Sequence, residues 1–130
     1  MIKVFVNGTF DILHTGHIEL LNYAKSLGDQ LIVGIDSDRR IKTLKGPDRP
    51  ITREYDRWLM LKNLKAVDEV VIFNNDNELI RLVSMCDIMV KGSDYQGKPI
   101  VGEEVCKKIV FFERIYGYST TNIIQNIINR

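Results

Sequence analysis

Five short apolar runs divide this chain: Ile2–Val6, Leu31–Ile35, Val70–Phe73, Ile88–Val90 and Ile109–Phe112. They are rich in β-branched and aromatic residues, and several are apolar at consecutive positions. That pattern fits strands covered on both faces, as in a parallel sheet. Between the runs lie segments with helical spacing. "GHIELLNYAKSL" places Ile18, Leu21, Ala24 and Leu27 three apart, with Gly28 expected to supply the left-handed residue that ends the helix. "TREYDRWLMLKNL" opens on Thr52 as the expected N-cap and carries an apolar face through Tyr55, Leu59 and Leu64. "DNELIRLVSM" and "STTNIIQNIINR" repeat the theme, the latter capped by Ser119. Strand alternating with helix predicts a doubly wound α/β sandwich with right-handed crossovers. The expectation is one domain over residues 1–130, a five-stranded parallel sheet with helices on both faces. "KGPDRP" and "KGSDYQGKP" read as turn-rich loops within it.

Composition narrows the partners. Eighteen basic residues against seventeen acidic ones give a formal net charge of +1. No broad field therefore gathers nucleic acid or an anionic membrane, and neither partner is expected. Any anion must be caught by a few placed groups. Cys86 and Cys106 stand at long spacing without a CxxC motif, which reads as free thiols in a reducing compartment. No charged segment precedes an apolar leader, and no run approaches membrane length, so a cytoplasmic location is expected.

In a doubly wound sheet the ligand lies at the carboxyl ends of the strands, near the switch in strand order. After the first run comes "GTFDILHTGH", which holds the chain's two histidines, His14 and His17. Gly8 lets backbone approach a ligand, and a helix start presents unpaired N–H groups. Histidines three apart on a helix share a face, so both can point at one anion. The stretch is neither a Walker loop nor a GxGxxG fingerprint. A zinc site would need further ligands, and there is no third histidine, while the cysteines fall elsewhere. Taken alone, the pair also has a plainer reading, as polar residues at a helix end.

"GTFDILHTGH" resembles the signature of the cytidylyltransferase family of nucleotidyltransferases, with the HxGH core at His14–His17. The resemblance continues in order through "LKGPDRPI", "VDEVVIF", "VKGSDY" and "GYSTTNII", and so covers nearly the whole chain. It implies a Rossmann-like sandwich, in agreement with the pattern above. It also implies attack by a substrate phosphate on the α-phosphorus of a nucleoside triphosphate, with release of pyrophosphate. The attacker is already an anion, so no general base is required and the work is positioning and charge stabilisation.

By this resemblance His14, His17, Lys45 and Arg114 are the expected catalytic residues, with Lys42 the rival of Lys45. Gly8, Thr9 and Phe10 would contact phosphate beside the histidines. Lys91, Gly92 and Asp94 of "VKGSDY" would meet the nucleotide, and Ser119, Thr120 and Thr121 would cradle its outer phosphates. Asp11, Asp36, Asp38, Lys42 and Arg57 are expected on the acceptor side, with Asp11 either ordering its loop or helping hold a metal. Mg²⁺ is the expected cofactor, held mainly by the triphosphate, with ATP or CTP as co-substrate. Trp58 is expected to pack in the core or at a homodimer contact. "LKGPDRP" and "KGSDY" lean toward the ADP-heptose type, an adenylyl group passed to a sugar 1-phosphate. Arg114 and "DYQGK" lean toward the glycerol-3-phosphate cytidylyl type. The balance favours the first. A nucleotide-binding regulatory module without catalysis is the alternative from another class.

Overall fold

A computed structural model describes residues 1–113 and 120–128, without the side chains of Thr120 and Asn122. The chain runs β1 (Lys3–Gly8), α1 (Thr15–Ser26), β2 (Gln30–Asp36), α2 (Asp38–Lys45), α3 (Glu54–Lys62) and β3 (Glu69–Phe73). It continues through α4 (Asp76–Ser84), β4 (Ile88–Gly92), a 3-10 turn at Ser93–Tyr95, β5 (Ile109–Phe112) and α5 (Thr120–Ile128). The strands form one sheet in the order β3-β2-β1-β4-β5. Every ladder in it is parallel. The expected five-stranded α/β architecture is therefore present, and the strand order reverses between β1 and β4.

Alternation along the strands divides the core in two. Val4, Val6, Leu31, Val33, Ile35 and Val70 share a cluster with Leu21 and Ala24 of α1 and Leu61 of α3. Phe5, Ile32, Phe73 and Met89 point the other way, into a cluster with Leu79 and Val83 of α4. Consecutive residues such as Val4, Phe5 and Val6 are thus all buried because they serve opposite faces.

Several local expectations change. The helical readings omit residues 38–45, yet α2 forms there, capped by Ser37 Oγ accepting from Arg40 N at 3.2 Å. Only Ile41 of that helix is buried, so its apolar period is too weak to read. Gly28 is not a left-handed terminus; α1 ends on Leu27 in right-handed helical geometry. A Cβ on Gly28 would lie 2.8 Å from the Ile2 carbonyl oxygen, so close packing against the chain before β1 requires glycine. Thr52 is not the cap of α3; Arg53 is, with no side-chain cap bond. The buried positions of α3 are Arg57 and Leu61, while Tyr55 and Leu59 are exposed. Trp58 packs against the core, its indole N–H donating to the Val70 carbonyl at 3.1 Å. Both cysteines are free, and burial pushes the Cys86 thiol up to about 11, which keeps it unreactive at neutral pH. Among the described residues no helix is long and apolar enough to cross a membrane.

Candidate active site

The loop after β1 is strained and tightly held. Phe10 and Ile12 take φ of 49° and 57°, the left-handed region that a β-branched residue enters at a cost of order 1–3 kcal/mol. Three contacts hold it. Phe10 buries its ring beside Gly8, where a Cβ would come 3.1 Å from the ring, and centres it 5.0 Å from the ring of His17. Asp11, wholly buried, accepts from Ile51 N at 2.9 Å, Thr52 N at 2.8 Å and Arg49 Nε at 3.2 Å. Arg57 Nη1 donates to the Thr9 carbonyl at 2.8 Å.

The two histidines close this loop onto α1. His14 is the N-cap, and its Nδ1 accepts from Gly16 N at 3.1 Å. His17 returns the bond, its Nδ1 accepting from His14 N at 3.2 Å. This is a reciprocal capping box built from two imidazoles instead of a hydroxyl and a carboxylate. Their rings stack with centroids 3.7 Å apart and planes 22° from parallel. Because each Nδ1 accepts, the proton of each neutral ring sits on Nε2. The pair is therefore fixed as two Nε2–H donors by the same bonds that start the helix.

Both rings line a cavity of about 390 Å³ outside the carboxyl ends of β1 and β4, at the switch in strand order. On the β4 flank, Lys91 Nζ lies 4.0 Å from the centre of the Tyr95 ring and 3.4 Å from Asn7 Oδ1. On the β2 flank stand Asp36, Arg40, Lys45 and Arg49. Arg40 is bracketed by Asp36 and Asp76, each at 2.8 Å, and lies over the Phe73 ring. Burial opposes its charge, but hydrogen bonds to Asp76 and Asp36 outweigh that and raise its pKa. Among the described lining residues Asp36 is the one carboxylate, against Arg40, Lys45, Arg49 and Lys91. The cavity thus favours an anion. Among the described residues no group of three or more His, Cys, Asp and Glu could hold a metal ion.

Of the residues expected from sequence, Gly8, Thr9, His14, His17, Asp36, Lys45, Lys91, Gly92 and Thr121 line this one cavity. Lys45 does so from the last turn of α2, not from a loop. Others stand elsewhere. Phe10, Asp11, Asp38, Lys42, Arg57 and Asp94 are not among its lining. Phe10 is core, and its ring, not a ligand, occupies the space beside Gly8. Asp11 binds backbone N–H groups and Arg49, which orders its loop. Arg57 is wholly buried: its guanidinium donates to the carbonyls of Thr52, Thr9 and Asp36 and to Asp38 Oδ1, all at 2.8–2.9 Å. It ties three segments together, and Glu54 nearby accepts from Asp38 N. Lys42 holds the following loop through the carbonyls of Pro47 and Arg49. Arg114, Ser119 and the side chain of Thr120 lie outside the described residues. The sequence reading missed Asn7, Arg40, Arg49 and Tyr95 as lining. The i, i+4 spacing of Asp36 and Arg40 was a usable signal; Arg49 had none beyond its place in "LKGPDRPI".

A family model described as cytidylyltransferase-like matches residues 5–126. The chain belongs to that family. It is 51% identical over 126 residues to the bifunctional protein HldE of Nitratiruptor sp., covering 95% of this chain and 27% of that protein. The HldE protein of Helicobacter hepaticus is likewise 51% identical over 126 residues, covering 95% and 26%. The chain spans about a quarter of the length of these curated relatives. Among solved structures, a lipopolysaccharide core biosynthesis protein from Thermoplasma volcanium superposes with a TM-score of 0.74 at 30% identity. That match covers 88% of this chain and 98% of the other. The strained loop, the imidazole pair and the cavity thus belong to a cytidylyltransferase-like domain.

Proposed function

We propose that this domain passes an adenylyl group from ATP to a sugar 1-phosphate, making a nucleotide sugar and pyrophosphate. The observation that carries the reading is the stacked His14–His17 pair, locked as two Nε2–H donors in the lining of a cationic cavity. An oxygen of the acceptor phosphate attacks the α-phosphorus as the bond to the bridging oxygen of the pyrophosphate breaks. Charge grows on the leaving oxygens, and the two Nε2–H groups with the start of α1 stabilise it. Lys45 and Lys91 offset the charge of two anions brought together, and Thr9, Gly92 and Thr121 orient the nucleotide. Asp94, Ser119, Thr120 and Arg114 belong to the same proposed donor site by their family motif. Asp36 takes hydroxyls of the acceptor.

In this reading Mg²⁺ would come with the triphosphate and would supply neutralisation of phosphate charge. Among the described lining residues the one carboxylate that could hold it is Asp36, already bonded to Arg40, so phosphate oxygens and water would supply its ligands. The runner-up is a cytidylyl transfer to glycerol 3-phosphate, favoured by Arg114 in "RIYGYST". A homodimer is part of the proposal and is checked by light scattering of the purified chain. Pyrophosphate release, measured with ATP or CTP against heptose 1-phosphate or glycerol 3-phosphate, tests the function. ATP with the heptose phosphate is expected to give the highest kcat/KM. CTP with glycerol 3-phosphate in its place would select the runner-up. No release from any pair would leave a nucleotide-binding module.

A further inference from the structure

We infer that Arg49 is a phosphate clamp, binding the phosphate of the acceptor and coupling it to the histidine loop; this rests on the nucleotidyl-transfer reading above. Arg49 lies between α2 and α3 and lines the cavity with His14 and His17. Its two guanidinium edges differ. The Nε edge is committed, donating to Asp11 Oδ2 at 3.2 Å, and Asp11 is wholly buried inside the loop that carries the histidines. The Nη edge has no hydrogen-bond or ion partner among the described residues. Its backbone is held as well: Arg49 N donates to the Gly46 carbonyl at 3.3 Å, and its own carbonyl accepts from Lys42 Nζ at 3.2 Å. A guanidinium pinned on one edge and open on the other is pre-organised for bidentate capture of a phosphate.

The other arginine of the described lining, Arg40, and the nearby Arg57 are both occupied. Arg40 spends Nε and Nη2 on Asp36 and Asp76, and Arg57 is sealed in the interior. Arg49 is thus the guanidinium of the described lining with a whole fork to offer.

Position assigns the phosphate to the acceptor. In the sheet β1 lies between β2 and β4, so the histidines stand between two flanks of the cavity. Lys91 and Gly92 occupy the β4 flank, and Asp36, Lys45 and Arg49 the β2 flank. In-line displacement brings attacking and leaving oxygens to opposite sides of the α-phosphorus. With the nucleotide on one flank, the incoming phosphate approaches from the other, as an anion meeting an anion. Arg49 neutralises that approach. Because its Nε holds Asp11, the docked phosphate also steadies the loop from which both histidines project.

The test uses Arg49→Lys and Arg49→Gln in the full chain. Calorimetry measures binding of α,β-methylene ATP and CTP alone, then of heptose 1-phosphate, glycerol 3-phosphate and inorganic phosphate at saturating analogue. Lysine keeps a cation for Asp11 but cannot hold both Asp11 and a phosphate in a fork. Arg49→Lys is therefore expected to melt close to the parent and bind the nucleotide analogue within about twofold. Its affinity for the phosphate probe that the parent binds should fall about tenfold. Arg49→Gln should lose at least as much. Unchanged phosphate affinity in Arg49→Lys overturns the proposal while leaving the transfer reading intact. A parallel loss of nucleotide affinity also overturns it, by assigning Arg49 to the triphosphate. A parent chain that binds nucleotide but none of the three phosphates overturns it too. A parent that binds no nucleotide fails the transfer reading, and this proposal with it.

Discussion

The two edges of the sheet use aspartate in opposite ways. At the amino edge Asp29, Asp68 and Asp87 each stand one residue before a strand and accept a backbone N–H at or next to the start of the neighbouring strand. Asp29 takes Ile2 N at 2.7 Å, Asp68 takes Leu31 N at 2.7 Å, and Asp87 takes Lys3 N at 2.9 Å. Lysines complete two of the clamps, Lys25 on Asp68 and Lys107 on Asp87. One local rule, repeated three times, closes the start of three of the four ladders, all but that of β4 with β5. At the carboxyl edge Asp11, Asp36 and Asp38 follow no common rule. Each answers a different arginine, Arg49, Arg40 or Arg57, and together they brace the wall of the cavity. The amino edge is built for stability; the carboxyl edge spends its carboxylates on holding cations and strained backbone in place.

If that division is right, changes at the two edges separate activity from stability. The largest effect is expected for His17→Ala. Pyrophosphate release should drop by about 10²–10³-fold with one Nε2–H donor gone, as for loss of an oxyanion donor. Unfolding stability should fall only by what a lost helix cap costs, about 1 kcal/mol. Comparable activity in the variant would break the comparison at its carboxyl edge. Next comes Arg57→Met, which leaves three carbonyls and Asp38 without their donor. It should cost about 3–5 kcal/mol in urea unfolding, as broken buried ion pairs do. A loss below about 1 kcal/mol would show that Arg57 is not the tie described here. The smallest effect is expected at Asp68→Asn, with kcat unchanged and stability lower by about 1 kcal/mol at neutral pH.

The Asp68 variant also tests the acid side. Burial works to raise the Asp68 pKa, but hydrogen bonds from Lys25 and Leu31 N and the Lys25 charge outweigh it and hold it below the usual carboxylate value. A depressed folded pKa contributes stability above the ordinary value of about 3.9 and loses it as pH falls through the folded one. Asp68→Asn should therefore narrow the gap to the parent progressively below about pH 4. A gap that stays constant to pH 2 would remove the ion pair from the explanation.

Much of the frame was legible in the chain. The five apolar runs lie within a residue or two of the five strands, because burial on both faces writes itself as consecutive β-branched residues. The i, i+3 histidines were legible as a pair sharing a face. Their capping box was not, because imidazoles seldom fill that role. α2 was hidden by its polar surface, and the face of α3 was misread because its most buried side chain is an arginine. Arg57 looks like any helix-surface cation until four acceptors, from 5 to 48 residues away, converge on it.

Local periodicity by itself determined the alternation of strand and helix, the parallel sheet and the loop that carries His14 and His17. These depend on neighbours within a turn or a strand, and a sequence displays such neighbours directly. Only the tertiary structure decided which charges face the cavity. Arg49 and Arg57 are equally polar letters in adjoining stretches. One is held on a single edge by Asp11 and borders the cavity; the other is enclosed by carbonyls in the interior. Burial of a charge depends on partners brought from distant segments, and those partners meet only when the chain folds.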